Sequence, residues 1–408
     1  MSNLLYLVHR LPFPPNKGDK VRSYHLLKHL TKHHRVFLGT FVDTPEDEVY
    51  VATVRKLCPD LFVARINPPW AKIRSLTGLL KQQALSLGYY RNTQLQAWVK
   101  QTLETQNIEA TVIFSSVMAQ YVQAIAGVKQ PPMLVDFVDV DSSKWTQYAS
   151  AHPWPLSWLY RREGERLGAF ERAVAARSKK SFFVTENETQ LFKKMAPECA
   201  DLAVAMSNGV DTDYFSPDPE RASPYPMRVC SPATLPVVFT GAMDYWPNVD
   251  AVTWFARDIL PRLRRSCPQV CFYIVGRNPP ASVFALACNA VVVTGTVPDV
   301  RPYLQHAALV VAPLRVARGV QNKILEAMAM CKPVVASRSC AQALTANSDD
   351  LVCAAGVSGF VREIVDLLQS PERSDRLGQS ARRRVIESYS WTAHLGGIDR
   401  YLSAQQPS

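Results

Sequence analysis

Arg318, Lys323 and Glu326 are spaced so that they could handle a charged, hydroxylated ligand. Val320, Ile324, Leu325 and Met328 recur at helical spacing. Lys323 and Glu326 therefore sit one turn apart on one face. Gly319 stands where that helix would open, and Val320 and Gln321 follow it. A helix start of this kind offers backbone N–H groups and about half a positive charge, a ready anion site. Arg318 and Lys323 add formal charge beside it, and the Glu326 carboxylate could accept two hydrogen bonds from a ribose diol. Cation, glycine turn and carboxylate together suit the diphosphate and pentose of a sugar nucleotide. The same spacing also suits an ordinary helix N-terminus with solvated charges.

Such a turn needs a strand on either side, and the sequence supplies both. Residues 308–312 form an apolar run that stops at Pro313, and 333–336 form another. Further short apolar runs without alternation occupy 237–240, 270–275 and 290–294. Buried parallel strands read this way. Helical patterns at 249–265, 300–306 and 320–330 separate them, so an α/β, doubly wound sheet is expected, with ligands at the carboxyl ends of its strands. Gly241, Gly276, Gly295 and Gly319 all follow strand ends and would gather at that rim. Arg277 adds a cation there, and the backbone around Thr296 and Val297 is expected to hold the base.

The first half repeats the theme. Strands are expected at 3–9, 35–40, 61–66, 111–115, 133–138, 181–185 and 202–206, with helices at 21–33, 156–177 and 186–195. Asp139 and Asp141 follow the fifth of these strands directly. Two such carboxylates could hold a divalent ion against donor phosphates; Asp141 or Ser142 could equally cap a helix. Segment 216–236 has six prolines and no periodicity, and reads as an interdomain linker. In segment 70–91, Trp70, Ile73, Leu76, Leu79 and Leu80 are apolar, with Lys72, Arg74 and Lys81 between them. It suits either a helix lying on an anionic membrane or one packed on its own domain. Trp154, Trp158, Tyr160, Arg161 and Arg162 form a second aromatic and basic group.

Bulk properties bound the rest. A chain of 408 residues suits two domains, and 47% apolar with 20% charged residues is globular composition. Nine scattered cysteines without a CxxC pair point to reduced thiols in a cytoplasmic protein. No apolar run reaches the roughly 20 residues that a membrane crossing needs. The start reads as a strand, not a signal peptide. The net charge of +11 calls for anionic partners. No nucleic-acid motif accompanies it, so phosphorylated sugar donors and an anionic membrane surface, met peripherally, explain it better.

Residues 319–337, G-x-x-x-K-x-x-E-A-M-A-x-x-x-P-V-V-A-S, resemble the donor-binding motif of group 1, GT-B-fold, retaining glycosyltransferases. Ser207-Asn208-Gly209-Val210-Asp211, Phe239-Thr240-Gly241, Val275-Gly276, Thr294-Gly295-Thr296-Val297 and Tyr389-Ser390-Trp391 fall in that family's order. The stretches 239–248 and 138–145 are similar to sugar transferases of exopolysaccharide and PEP-CTERM/exosortase systems. The resemblance implies two Rossmann-like domains facing across a cleft: an acceptor domain at 1–206, a linker at 207–236 and a donor domain at 237–390, with a helix at 391–408 returning to the first. It implies a nucleotide-diphosphate-sugar donor, a glycan or polyprenyl-linked acceptor, front-face attack with retention, and no metal or other cofactor. It also places Asn16, Lys17 and Gly18 on a lip over donor and acceptor, and Asp139, with Asp141 as substitute, against the reacting sugar. Two departures matter. Arg318 stands where the family often has the first glutamate of E-x7-E, and no Arg…Lys pair follows Gly241. Val138 also replaces the usual histidine. Arg318 and Lys323 are therefore expected to take over the phosphate. A sugar-nucleotide epimerase, a non-catalytic donor binder and a GT-A enzyme are the alternatives.

Overall fold

The structure, a computed structural model, describes residues 2–15, 18–123, 130–225, 234–317, 320–344 and 349–402. The chain divides into two compact units, Met1–Asn208 with His394–Ser408, and Gly209–Ala393.

Unit 1 is built on seven parallel strands: β1 (Asn3–Val8), β2 (Arg35–Val42), β3 (Leu61–Arg65), β4 (Ala110–Phe114), β5 (Met133–Val138), β6 (Lys180–Phe183) and β7 (Ala203–Ala205). Their order is β3-β2-β1-β4-β5-β6-β7. Unit 2 carries six: β8 (Leu235–Thr240), β9 (Val270–Val275), β10 (Val291–Gly295), β11 (Leu309–Ala312), β12 (Val334–Ser337) and β13 (Val352–Ala354), in the order β10-β9-β8-β11-β12-β13. Every pairing is parallel. Each order reverses once, at β1/β4 and at β8/β11, the switch points where doubly wound sheets open a crevice. Helices cover both faces, which is why β4, β9 and β11 are buried along their whole length and show no alternation.

Some elements depart from the sequence reading. β13 lies at the sheet edge and is three residues long, too short to leave a pattern. The expected helix 249–265 begins at Trp246 and passes through a π turn, Phe255–Ile259, just before Pro261. The extra residue in that turn absorbs a position where proline has no N–H to give. The linker reading of 207–236 needs correction. Val210 bridges Ser390 within unit 2, the Tyr225 hydroxyl donates to the Tyr303 carbonyl at 2.6 Å, and Phe215 packs on that unit's core. Residues 210–225 are a strap on unit 2, tied down by aromatic side chains that the proline count concealed. The helix Trp391–Leu402 ends the described chain, and from His394 onward it belongs to unit 1.

Candidate active site

The strand ends at the unit 2 switch point meet through their backbones. The Gly241 N–H donates to the Val275 carbonyl at 3.0 Å, and the Gly276 N–H to that of Gly295 at 3.3 Å. A Cβ on Gly276 would lie 1.7 Å from the Gly241 carbonyl oxygen, so only glycine fits there. The rim they form opens on a pocket of about 590 Å³. Gly241, Arg277, Thr296, Val297, Val320, Gln321, Lys323 and Glu326 all line it. Arg318 and Gly319 lie outside the described residues. The helix begins later than the expected 320–330: it is Asn322–Ala329, Gln321 is its N-cap, and Val320 stays in the loop, 39% exposed. The Gln321 side chain makes no capping hydrogen bond to the first turn.

Ile324, Leu325, Ala327 and Met328 bury one face of this helix against the sheet, which turns Lys323 and Glu326 toward the pocket. Lys323 is held from two sides. Its Nζ donates to Asn248 Oδ1 at 2.5 Å and lies 4.1 Å from the centroid of the Phe239 ring. Asn248, buried, donates in turn to the Ala242 carbonyl at 2.7 Å. Burial lowers the Lys323 pKa to about 8, with Cys340 and Glu326 opposing. Burial raises Glu326 to about 7, with Lys323 opposing, although its side chain still reaches the pocket surface. An ammonium and a carboxyl that are both poorly hydrated, beside the start of the helix Asn322–Ala329, gain most from an anion with hydroxyls. Asn248 and Phe239 were not read from the sequence as functional. Both lie in the stretch 239–248, but neither is of a type that signals chemistry alone.

In unit 1, Gly18 is the first residue of the helix Gly18–His33, and a Cβ on it would meet nothing within 4 Å. Asn16 and Lys17 lie outside the described residues. Asp139 and Asp141 are both engaged by Lys144, whose Nζ lies 2.8 Å and 3.0 Å from them. Burial alone would lower the Lys144 pKa, but Asp141 and Asp139 outweigh it. That ammonium occupies the space between the carboxylates where a divalent ion would go. The capping role also falls elsewhere. Asp141 is the first residue of the helix Asp141–Ala151, and the cap position is Val140. Glu188 accepts from the Val140 N–H at 2.7 Å, while Glu171 takes the Ser142 N–H at 3.3 Å and its hydroxyl at 2.5 Å. Val138, before this loop, is held at φ 67°, strained for a β-branched residue. The buried Asp136 carboxylate, paired with Arg22 at 2.7 Å, accepts from the Val138 N–H at 3.2 Å, where the pairing of β5 with β6 shifts register between Asp136 and Val138. Such strain persists where surroundings enforce it, often at functional loops.

Residues 235–370 match the family model for group 1 glycosyl transferases. The matched segment lies wholly within unit 2. The match contains the whole pocket just described. The chain is also 27% identical over 215 residues to the GDP-mannose-dependent α-(1-6)-phosphatidylinositol monomannoside mannosyltransferase of Mycolicibacterium smegmatis. That match covers 48% of this chain and 55% of the relative, so the chain spans about half the length of the curated relative it matches. HepE of Anabaena in complex with UDP superposes with a TM-score of 0.61 at 15% identity, over 99% of this chain and 100% of that one. Sucrose-phosphate synthase of Thermosynechococcus elongatus gives 0.62 at 16% identity, over 100% of both. These likenesses show the fold: two Rossmann-like sheets, as in GT-B glycosyltransferases. The GT-A alternative drops out with it.

Proposed function

We propose that the chain is a glycosyltransferase that takes a nucleotide-diphosphate sugar into the unit 2 pocket and passes the sugar to a hydroxyl of a glycan or lipid-linked acceptor. The observation that carries this reading is the Lys323 ammonium, buried beneath the Gly241 turn with Glu326 one helical turn further on. When the bond between sugar and phosphate breaks, negative charge builds on the departing diphosphate. A preorganised ammonium and N–H donors then stabilise the transition state more than the ground state. Arg277 at the rim supplies a second cation, and Arg318 is assigned the same role from its place in the sequence. Thr296 and Val297, at the wall formed by the end of β10, suit the base. Glu326 suits the ribose diol, and its raised pKa means that a pentose's hydrogen bonds would favour its ionised form. In unit 1, Asp139 and Asp141 are assigned to the acceptor, with Lys144 released or shifted when it arrives.

The relatives' names support the donor class. Structures of HepE carry UDP and UDP-glucose, and the mycobacterial relative is GDP-mannose-dependent. Retention by front-face attack and a role in bacterial polysaccharide synthesis are part of the same proposal and rest on the motif resemblance. The test is a panel of nucleotide sugars, with nucleoside diphosphate release followed with and without a polyprenyl-linked acceptor. Release that requires acceptor, and a product keeping the donor's anomeric configuration by NMR, is expected. An isomerised donor, or binding without release under all acceptors, rejects the transferase.

A further inference from the structure

Between Asp60 and Glu104 the sequence contains no acidic residue, yet Lys72, Arg74, Lys81 and Arg91 fall there. The stretch folds into the short helices Pro68–Ser75, Thr77–Leu80 and Leu85–Tyr89. The third of them buries Leu87, whereas the first two bury only small residues, Ala71, Ser75 and Gly78. Their large apolar residues point the other way. Trp70 is 69% exposed, Ile73 58%, Leu76 50% and Leu80 89%, an outward stripe at spacings of one helical turn. Trp154 and Trp158, 80% and 53% exposed, form a second group. The two groups are neighbours: Arg162 donates to the Gly78 carbonyl at 2.8 Å and to that of Gln83 at 3.2 Å. Exposed large apolar side chains gathered in this way, with the exposed Lys72, Arg74 and Lys81 among them, mark an interaction surface.

A second feature continues it. In the helix Leu156–Arg177, Trp158, Arg162, Arg166 and Phe170 recur every fourth residue and form one stripe, with Arg177 two turns beyond. Beyond Arg162 that stripe becomes the wall of a pocket of about 650 Å³. Arg91, Arg166 and Arg177 line it together with Gln82, Gln83 and Asn92, and among the described residues the lining includes no aspartate or glutamate. Gln82 follows directly after the exposed Leu80 and Lys81, so the pocket mouth borders the apolar patch. Guanidinium groups bind phosphate oxygens in pairs, and amides suit the hydroxyls of a headgroup. The volume exceeds what a bare phosphate needs and suits a small polar molecule.

We propose that this face of unit 1 docks on an anionic bilayer, its tryptophans and leucines entering the interface and the arginine pocket taking the phosphate of a lipid headgroup. A protein partner would leave the pocket without a role, and a soluble sugar phosphate would leave the apolar stripe exposed; an anionic lipid uses both. The site lies wholly in unit 1 and stands whether or not unit 2 takes a nucleotide sugar.

The experiment is co-sedimentation of the full chain with vesicles of phosphatidylcholine alone and of equimolar phosphatidylcholine and phosphatidylglycerol. Binding to the mixed vesicles only is expected. Trp70→Ser with Leu80→Ser removes exposed side chains without disturbing the core and is expected to lower partitioning by about tenfold or more. Arg166→Gln with Arg177→Gln is expected to abolish the preference for phosphatidylglycerol, and free glycerol phosphate to reduce it only at high concentration. Thermal unfolding at the wild-type temperature confirms that each variant is folded. Equal binding to both vesicle types, no binding to either, or a folded variant of either kind that binds as the wild type does overturns the proposal. So does a concentration-dependent dimer lost in Trp70→Ser while vesicle binding stays absent.

Discussion

Asn248→Ala removes a side-chain oxygen that accepts from Lys323, at 2.5 Å. A hydrogen bond to a charged group contributes about 1.5–3 kcal/mol. At 1.36 kcal/mol per tenfold, kcat/KM should fall by about 10- to 100-fold. Two structural effects add in the same direction. The freed ammonium can leave its place above the Phe239 ring, 4.1 Å away, so it no longer waits where charge develops. The freed ammonium is also no longer held in one orientation beneath the Gly241 turn. The assay is nucleoside diphosphate release under acceptor saturation, run as a double-mutant cycle with Lys323→Ala. Lys323→Ala alone should cost about two to three orders of magnitude, as for one lost transition-state donor. In that background Asn248→Ala should change kcat/KM by less than about threefold, because its partner is missing. Equal losses in both backgrounds, with folding intact by thermal unfolding, would refute the idea that Asn248 acts through Lys323.

Three further outcomes follow from the geometry. The free-enzyme pH profile of kcat/KM should be bell-shaped: activity rises as Glu326 ionises near 7 and falls as Lys323 deprotonates near 8, and Glu326→Gln should remove the acid limb while lowering the maximum. Gly276→Ala forces a Cβ to 1.7 Å from the Gly241 carbonyl, so thermal unfolding should register a loss of about 1–3 kcal/mol and calorimetry a loss of nucleotide binding. Burial raises the Glu171 pKa to about 8, above its unfolded value of 4.5. Its contribution to stability is therefore complete below the unfolded value and is lost as pH rises through about 8. The melting temperature should fall between pH 6 and pH 9, and Glu171→Gln should flatten that slope.

The repeating unit of strand, glycine and helix in unit 2 was legible because a sheet covered on both faces writes itself as unbroken apolar runs. β9 and β11 are buried end to end, and Ile324, Leu325 and Met328 mark the helix side that packs on them. Lys323 and Glu326 could be paired for the same reason, since their spacing is a property of any helix. What lay beyond reach were contacts between segments far apart in the chain. Asn248 reaches Lys323 across 75 positions, and Glu171 accepts from the first turn of a helix 29 positions upstream. The 210–225 strap looked like a linker because prolines report a backbone that cannot continue a helix or a ladder, and not what the side chains later touch. Segment 70–91 shows the limit most sharply. Its composition allowed a membrane face or a packed helix, and only folding decided which way Trp70, Ile73, Leu76 and Leu80 point. Local pattern is written by periodicity, which a sequence carries in full. The partner of a side chain is set by chain reversals, whose result no local window contains.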